Sequence, residues 1–145
     1  MDSLKLLKEG AGQLNMCLNE VQLEALMRYL KELKDYNEHF RLVGSVEEEV
    51  VVVEHFLDSL SCLTSGLING GKKVIDVGAG AGFPGLVLKI IRPEMTLTLL
   101  DSSNKKATFL QHMVDVLHLS RTEVVCARAE EFGREKQRET YDLAL

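Results

Sequence analysis

"KKVIDVGAGAGFPGLVL", residues 72–88, decides the fold. "KVIDVG" is a short apolar run closing on glycine, the pattern of a buried parallel strand. A glycine ladder follows: Gly78, Gly80, Gly82 and Gly85. Pro84 sits where a first helical turn tolerates proline, and residues 86–91 continue as helix until Pro93 stops it. The ladder holds two overlapping patterns, GxGxG from Gly78 to Gly82 and GxGxxG from Gly80 to Gly85. Each follows a strand and opens a helix, the setting in which such a loop binds a nucleotide-like ligand. The plain alternative is a tight strand-to-helix turn with no ligand.

Asp76, two residues ahead of the ladder, separates the candidate ligands. A dinucleotide rests its pyrophosphate on the helix N-terminus, and a nearby unpaired carboxylate opposes that charge. S-adenosyl-L-methionine instead carries a sulfonium and an ammonium, both cationic, which a carboxylate favours. The competing reading has Asp76 capping loop amides. Asp101 closes a second apolar run, "TLTLLD", 23 positions after Gly78. An acid about twenty residues beyond the first glycine is placed to accept both ribose hydroxyls of an adenosine cofactor. Its bland alternative is a cap on the following helix. "ARAEEF", residues 127–132, supplies a third anchor. Ala129 and Glu130 lie where an adenine would sit, and Arg128 points to the same rim.

Around this stretch, strands alternate with helices. "SNKKATFLQHMVDVLHL" reads as a helix capped by Ser103 or Asn104, "TEVVCA" as a third strand and "YDLAL" as a fourth. Alternation of this kind predicts an α/β doubly wound parallel sheet, with Gly78, Asp101 and Ala127 along one edge. Residues 1–70 read as helices. Leu4 and Leu7 suit a short first helix ended by Gly10 and Gly12. Asn19 with Gln22 forms a capping box ahead of Leu23, Leu26, Met27, Leu30 and Leu33, which places Lys31, Glu32, Lys34 and Asp35 on the opposite side. "VEEEVVVVEHFLDSLSCL" opens with glutamates that suit a helix start, and its valine run also suits a strand. The period through Val53, Phe56, Leu57 and Leu60 favours helix.

Composition sets the outer bounds. The 145 residues suffice for one modest domain, and 46% hydrophobic with 27% charged residues is ordinary for a globular protein. A net charge of −5 gives no basic footprint, which counts against a polyanion partner unless local patches supply one. Cys17, Cys62 and Cys126 are widely spaced and form no metal-ligand pattern, so no metal is expected. No signal-like or membrane-spanning run is present, and the expected address is cytoplasmic, with a plastid stroma as the alternative.

With these residues identified, "HFLDSL", "VIDVGAGAGFPGLVLKIIRP", "LLDSSNKKATFL" and "ARAEEF", in that order, resemble the small-subunit ribosomal RNA N7-guanine methyltransferases (RsmG, or glucose-inhibited division protein B). The likeness runs from about Leu23 to Leu145. It implies a Rossmann-like class I methyltransferase core over residues 71–145, beneath an N-terminal helical layer over residues 1–70. It implies S-adenosyl-L-methionine as cofactor and small-subunit ribosomal RNA as substrate. It implies Gly78, Phe83, Asp101, Ser102, Ser103, Ala129 and Glu130 as cofactor residues, to which the loop reading adds Asp76, Gly80 and Gly82. Arg128, His55 and Asp58 fall on the substrate side, where His55 alternatively serves only the helix layer.

Two departures matter. The family commonly has "YNLT" where this sequence reads Phe40-Arg41-Leu42-Val43. The family's sheet also continues past the fourth strand, through an arginine-containing loop, whereas Leu145 is the last residue here. The chain is therefore expected to be truncated within its sheet, with an exposed edge able to self-associate. Three functional readings follow: an rRNA (guanine-N7)-methyltransferase, a cofactor-binding but catalytically incomplete fragment, and an NAD-dependent oxidoreductase. Guanine N7 offers an unprotonated in-plane lone pair, so the first needs positioning and electrostatics rather than a general base. No catalytic dyad is expected, and none stands out.

Overall fold

The computed structural model describes residues 2–133 and 140–145. The helical layer comes first. Helix α1 (Ser3–Gln13) precedes α2 (Glu20–Asn37), which opens with the expected capping box. The Asn19 side chain accepts the Gln22 amide N–H at 2.8 Å, and the Gln22 side chain accepts the Asn19 amide N–H at 2.9 Å. Helix α3 (Glu48–Val50) passes directly into a π-helical stretch, Val51–Leu57, then α4 (Asp58–Ser61) and a 3-10 turn, Cys62–Ser65.

The core then alternates: β1 (Lys73–Val77), α5 (Gly85–Ile91), β2 (Thr96–Asp101), α6 (Asn104–Val116), β3 (Thr122–Cys126), α7 (Ala129–Phe132) and β4 (Leu143–Ala144). The strands form one sheet in the order β3-β2-β1-β4, parallel throughout. The register pairs Val77 with Leu100 and Asp101 with Cys126, so the ends of β1, β2 and β3 meet on one edge as the alternation predicts. Sequence and space diverge at β1, because β4 adds to its far side. A ligand crevice is expected beside that reversal. Central β2 is buried along Leu97–Asp101, as a strand covered on both faces must be.

One hydrophobic cluster joins both zones, from Leu7 and Ala11 in α1 through Leu26 and Leu33 in α2 to Leu86, Leu99 and Phe109 in the core. Each such side chain contributes roughly 1.5–3 kcal/mol by leaving water. Lys89 is fully buried among them. Its ammonium donates to the carbonyls of Pro93, at 2.6 Å, and Met95, closing the end of α5.

Three local expectations are corrected. Helix α1 does not stop at Gly10 and Gly12 but runs through both to Gln13. Gly10 lies directly against the Leu57 side chain, a close approach that a larger residue would obstruct. The "VVVV" segment is helical, yet Val53 is exposed while Val51 and Val52 are buried. The π geometry, bonded i to i+5, advances the buried face relative to an ordinary helical period. Glu32, expected on the polar side of α2, is 7% exposed. It accepts hydrogen bonds from Arg28 Nε at 2.9 Å and pairs with His112 Nε2 at 2.8 Å, tying α2 to α6.

Candidate functional site: a cleft at the glycine-loop edge

The glycine loop is pinned from three sides. The N–H groups of Gly78 and Ala79 both donate to the Leu100 carbonyl, at 2.8 and 2.9 Å, holding the loop's start to β2. Asp101 extends the tie: its Oδ2 accepts the Gly80 N–H at 2.9 Å and its Oδ1 accepts the Ser103 N–H at 2.9 Å. From the helical layer, the Tyr29 hydroxyl donates to the Ala81 carbonyl. Tyr29 also stacks on Phe83, with ring centroids 5.2 Å apart and planes at 5°. Phe83 in turn stacks on His55 of the π-helical stretch, at 4.7 Å and 11°. The Phe83–Pro84 peptide bond is cis.

Two glycines are required here. Gly82 has φ 96°, in the left-handed region, and a Cβ there would sit 2.5 Å from the Tyr29 hydroxyl. A Cβ on Gly85 would fall 2.6 Å from Asp76 Oδ2 and 3.0 Å from Leu99 Cδ2. That crowding reflects the position of Asp76, which is 2% exposed and whose Oδ2 accepts the Gly85 N–H at 3.0 Å, at the first residue of α5. Burial pushes its carboxyl pKa up to about 6; the Gly85 amide opposes the rise and the Asp101 charge adds to it. Burial likewise holds the Tyr29 phenol well above its usual range, helped by Asp76.

Beside the loop opens a cleft of about 360 Å³. Val77 and Gly78 line it at the end of β1, Leu100, Asp101 and Ser102 at the end of β2, and residues 127–130 just past β3. Its wall is part aliphatic and part acidic, with Arg128 as the cation. Of the residues expected from the sequence, Gly78, Asp101, Ser102, Arg128, Ala129 and Glu130 meet around this cleft. Asp76, Gly80, Gly82, Phe83 and Ser103 stand behind it as loop framework. His55 lies on Phe83, and Asp58 is an exposed residue of α4. The competing reading of Asp76 as a carboxylate on a loop amide therefore describes its contact, and Asp101 likewise binds backbone amides with both oxygens.

The sequence reading passed over Tyr29 and Val77. Tyr29 stands three residues after Leu26 and was visible as a member of the same apolar stripe; nothing in the sequence showed that it reaches Ala81. Val77 is 43% exposed at the cleft floor, an apolar side chain left open at a strand end. Among the described residues, no cluster of histidine, cysteine or carboxylate side chains could hold a metal ion. No described helix is long and apolar enough to cross a membrane.

A parallel sheet with a glycine-rich first crossover and an acid closing β2 is a Rossmann-like arrangement, and the solved structures it superposes on are class I methyltransferases. Solved structures agree on that fold. A putative protein-L-isoaspartate O-methyltransferase from Plasmodium falciparum, in complex with S-adenosyl-L-homocysteine, superposes at a TM-score of 0.57 with 14% identity, covering 99% of this chain and 72% of that one. Coclaurine N-methyltransferase, bound to N-methylheliamine and S-adenosyl-L-homocysteine, gives 0.54 with 17% identity, covering 97% and 47%. The family model for rRNA small subunit methyltransferase G (GidB) matches residues 22–145, and the chain belongs to that family. The ribosomal RNA small subunit methyltransferase G of Caldanaerobacter subterraneus subsp. tengcongensis is 46% identical over 143 residues, covering 98% of this chain and 60% of the relative. That of Alkaliphilus metalliredigens is 44% identical over 146 residues, covering 100% and 61%. The chain thus spans about 60% of the length of the curated relatives it matches.

Proposed function

We propose that the chain binds S-adenosyl-L-methionine in the cleft beside Gly78 and Asp101, and serves a methyltransferase acting on N7 of a guanine in small-subunit ribosomal RNA. The RNA part of this reading follows the family match over residues 22–145, and the observation that carries the cofactor part is the hydrogen bond from the Gly85 N–H to Asp76 Oδ2. In a dinucleotide site the first amides of that helix would face a pyrophosphate. Here the first of them is taken by a buried carboxylate, which disfavours the NAD reading and favours a ligand without phosphate.

The cleft suits such a ligand. Its volume falls in the range of small-molecule sites, and its walls are mainly polar with a smaller aliphatic part from Val77, Leu100 and the alanines. Asp101, already oriented by the Gly80 and Ser103 amides, retains lone pairs for two vicinal hydroxyls. Ala129 and Glu130 offer backbone amides at the far rim for a purine edge, with Ser102 between. Gly78, Gly80, Gly82 and Phe83 shape the near wall, and Asp76 contributes negative potential from behind the loop. When bound, the cofactor supplies an electrophilic methyl group. The chain's own work is then to orient, to exclude water and to hold a field suited to a cationic ligand. A base whose acceptor nitrogen carries no proton asks for no general base. Arg128, His55 and Asp58 are assigned to the RNA-facing side.

In this reading residues 1–70 form a brace over the 71–145 core, working through Tyr29, Phe56 and His55 on the glycine loop. The proposed address is cytoplasmic, as for enzymes acting on bacterial ribosomal RNA. A second reading is a cofactor-binding part that lacks turnover, favoured by the 60% span of the relatives. Self-association is proposed along β4, whose outer side pairs with no strand among the described residues; light scattering of the purified chain tests it.

Calorimetric titration with S-adenosyl-L-methionine and with NAD tests the cofactor, and binding of NAD alone would overturn the reading. Transfer of a labelled methyl group to small-subunit RNA lacking the modification tests the enzyme. Cofactor binding without transfer assigns the chain to the second reading.

A further inference from the structure

Three cations stand unneutralised at one corner of an otherwise acidic protein. Helix α6 opens with Asn104, Lys105 and Lys106 and has no acidic residue in its first turn. Cations at that end oppose the helix dipole, so the dipole gives no reason for the pair. Across from them lies the loop between α2 and α3. The Asn37 side-chain carbonyl accepts the N–H groups of Leu42, at 2.7 Å, and Val43, at 3.2 Å, which fixes the loop and leaves Arg41 exposed. Phe40, next to Arg41, lies under the Lys105 ammonium, 6.0 Å from its ring centroid, bringing loop and helix together. Among the described residues, Arg41, Lys105 and Lys106 enter none of the ion pairs, which involve other lysines, Arg28 and His112.

This corner adjoins the cleft. Ser102 lines the cleft and Ser103 caps α6, so the lysines begin three residues beyond the cleft wall. We infer that Arg41, Lys105 and Lys106 form a phosphate-contacting surface for an RNA strand entering the cleft edge. The inference rests on the ribosomal RNA reading and adds where the strand runs. Exposed cations at a helix end and a loop suit backbone phosphates, so the surface supplies affinity and register without sequence choice. It also resolves how a chain of net charge −5 could hold a polyanion: locally, against the sum.

The test measures binding of a fluorescent single-stranded RNA to the full chain across a salt series, with cofactor binding followed on the same samples. For Arg41→Gln/Lys105→Gln/Lys106→Gln, Kd at low salt is expected to rise on the order of tenfold. The slope of log K against log salt should fall in magnitude by about 2, since each lost phosphate contact removes roughly 0.7. Arg41→Gln alone, which leaves α6 intact, should lower it by about 0.7. The triple variant is expected to keep its affinity for S-adenosyl-L-methionine. An unchanged slope in the variants, no RNA binding by the parent chain, or equally tight binding of poly-glutamate would each overturn the inference. Failure of the parent chain to bind S-adenosyl-L-methionine would instead sink the cofactor reading, and is scored separately.

Discussion

Gly85 and Asp76 form a close pairing in the loop, because the amide of one and the carboxylate of the other meet where no Cβ fits. Gly85→Ala must displace either the carboxylate or Leu99. The expected cost is about 2–4 kcal/mol, read from urea unfolding. Asp76 also sets a pH dependence. Its folded pKa of about 6 lies above the ordinary carboxylate value of 3.8, so the native state holds this proton more tightly than the unfolded chain. Its contribution is full in acid, declines as pH rises above about 4, and is gone once pH has passed through about 6. Asp76→Asn keeps an acceptor for Gly85 and removes the titration. Comparing stability at pH 4 and pH 7 for both proteins should show the parent losing about 2 kcal/mol more than the variant.

At the scale of elements, the link between α2 and α6 is the Glu32–His112 pair, supported by Arg28. Burial raises the Glu32 pKa, but the hydrogen bonds from His112 and Arg28 outweigh it and hold the carboxyl below its usual value. A depressed acid stabilises the fold above its unfolded pKa and loses that contribution as pH falls through the folded one. Glu32→Gln is therefore expected to cost about 1–3 kcal/mol near neutral pH and much less in acid, once the Glu32 carboxyl is protonated in both states, by thermal unfolding at both conditions. This element was illegible in sequence for a definite reason. Glu32 falls beside Lys31 and Lys34 in a charged run, and only the fold brings His112 across to bury it.

The described residues share one core, although the sequence changes character near residue 70. Strand identity, order along the chain and the capping box were legible, because glycine, alternation and Asn19–Gln22 act locally. The cleft edge was legible too, since parallel strands must end together. What could not be read was the packing of one zone on the other: the Tyr29 hydroxyl on Ala81 and the Phe83 ring between α2 and the π-helical stretch. Such contacts join residues dozens of positions apart, and no local pattern encodes them. The same packing predicts that residues 71–145 expressed alone will not unfold cooperatively, because Leu86 and Phe109 would lose their cover. Calorimetry showing a sharp transition in that piece would oppose the prediction.

Tyr29 also makes the protein report on itself. The chain has no tryptophan and only three tyrosines, of which one is fully buried with its hydroxyl on the glycine loop. In an alkaline titration followed at 295 nm, its phenolate absorbance is expected to appear together with the loss of helical circular dichroism.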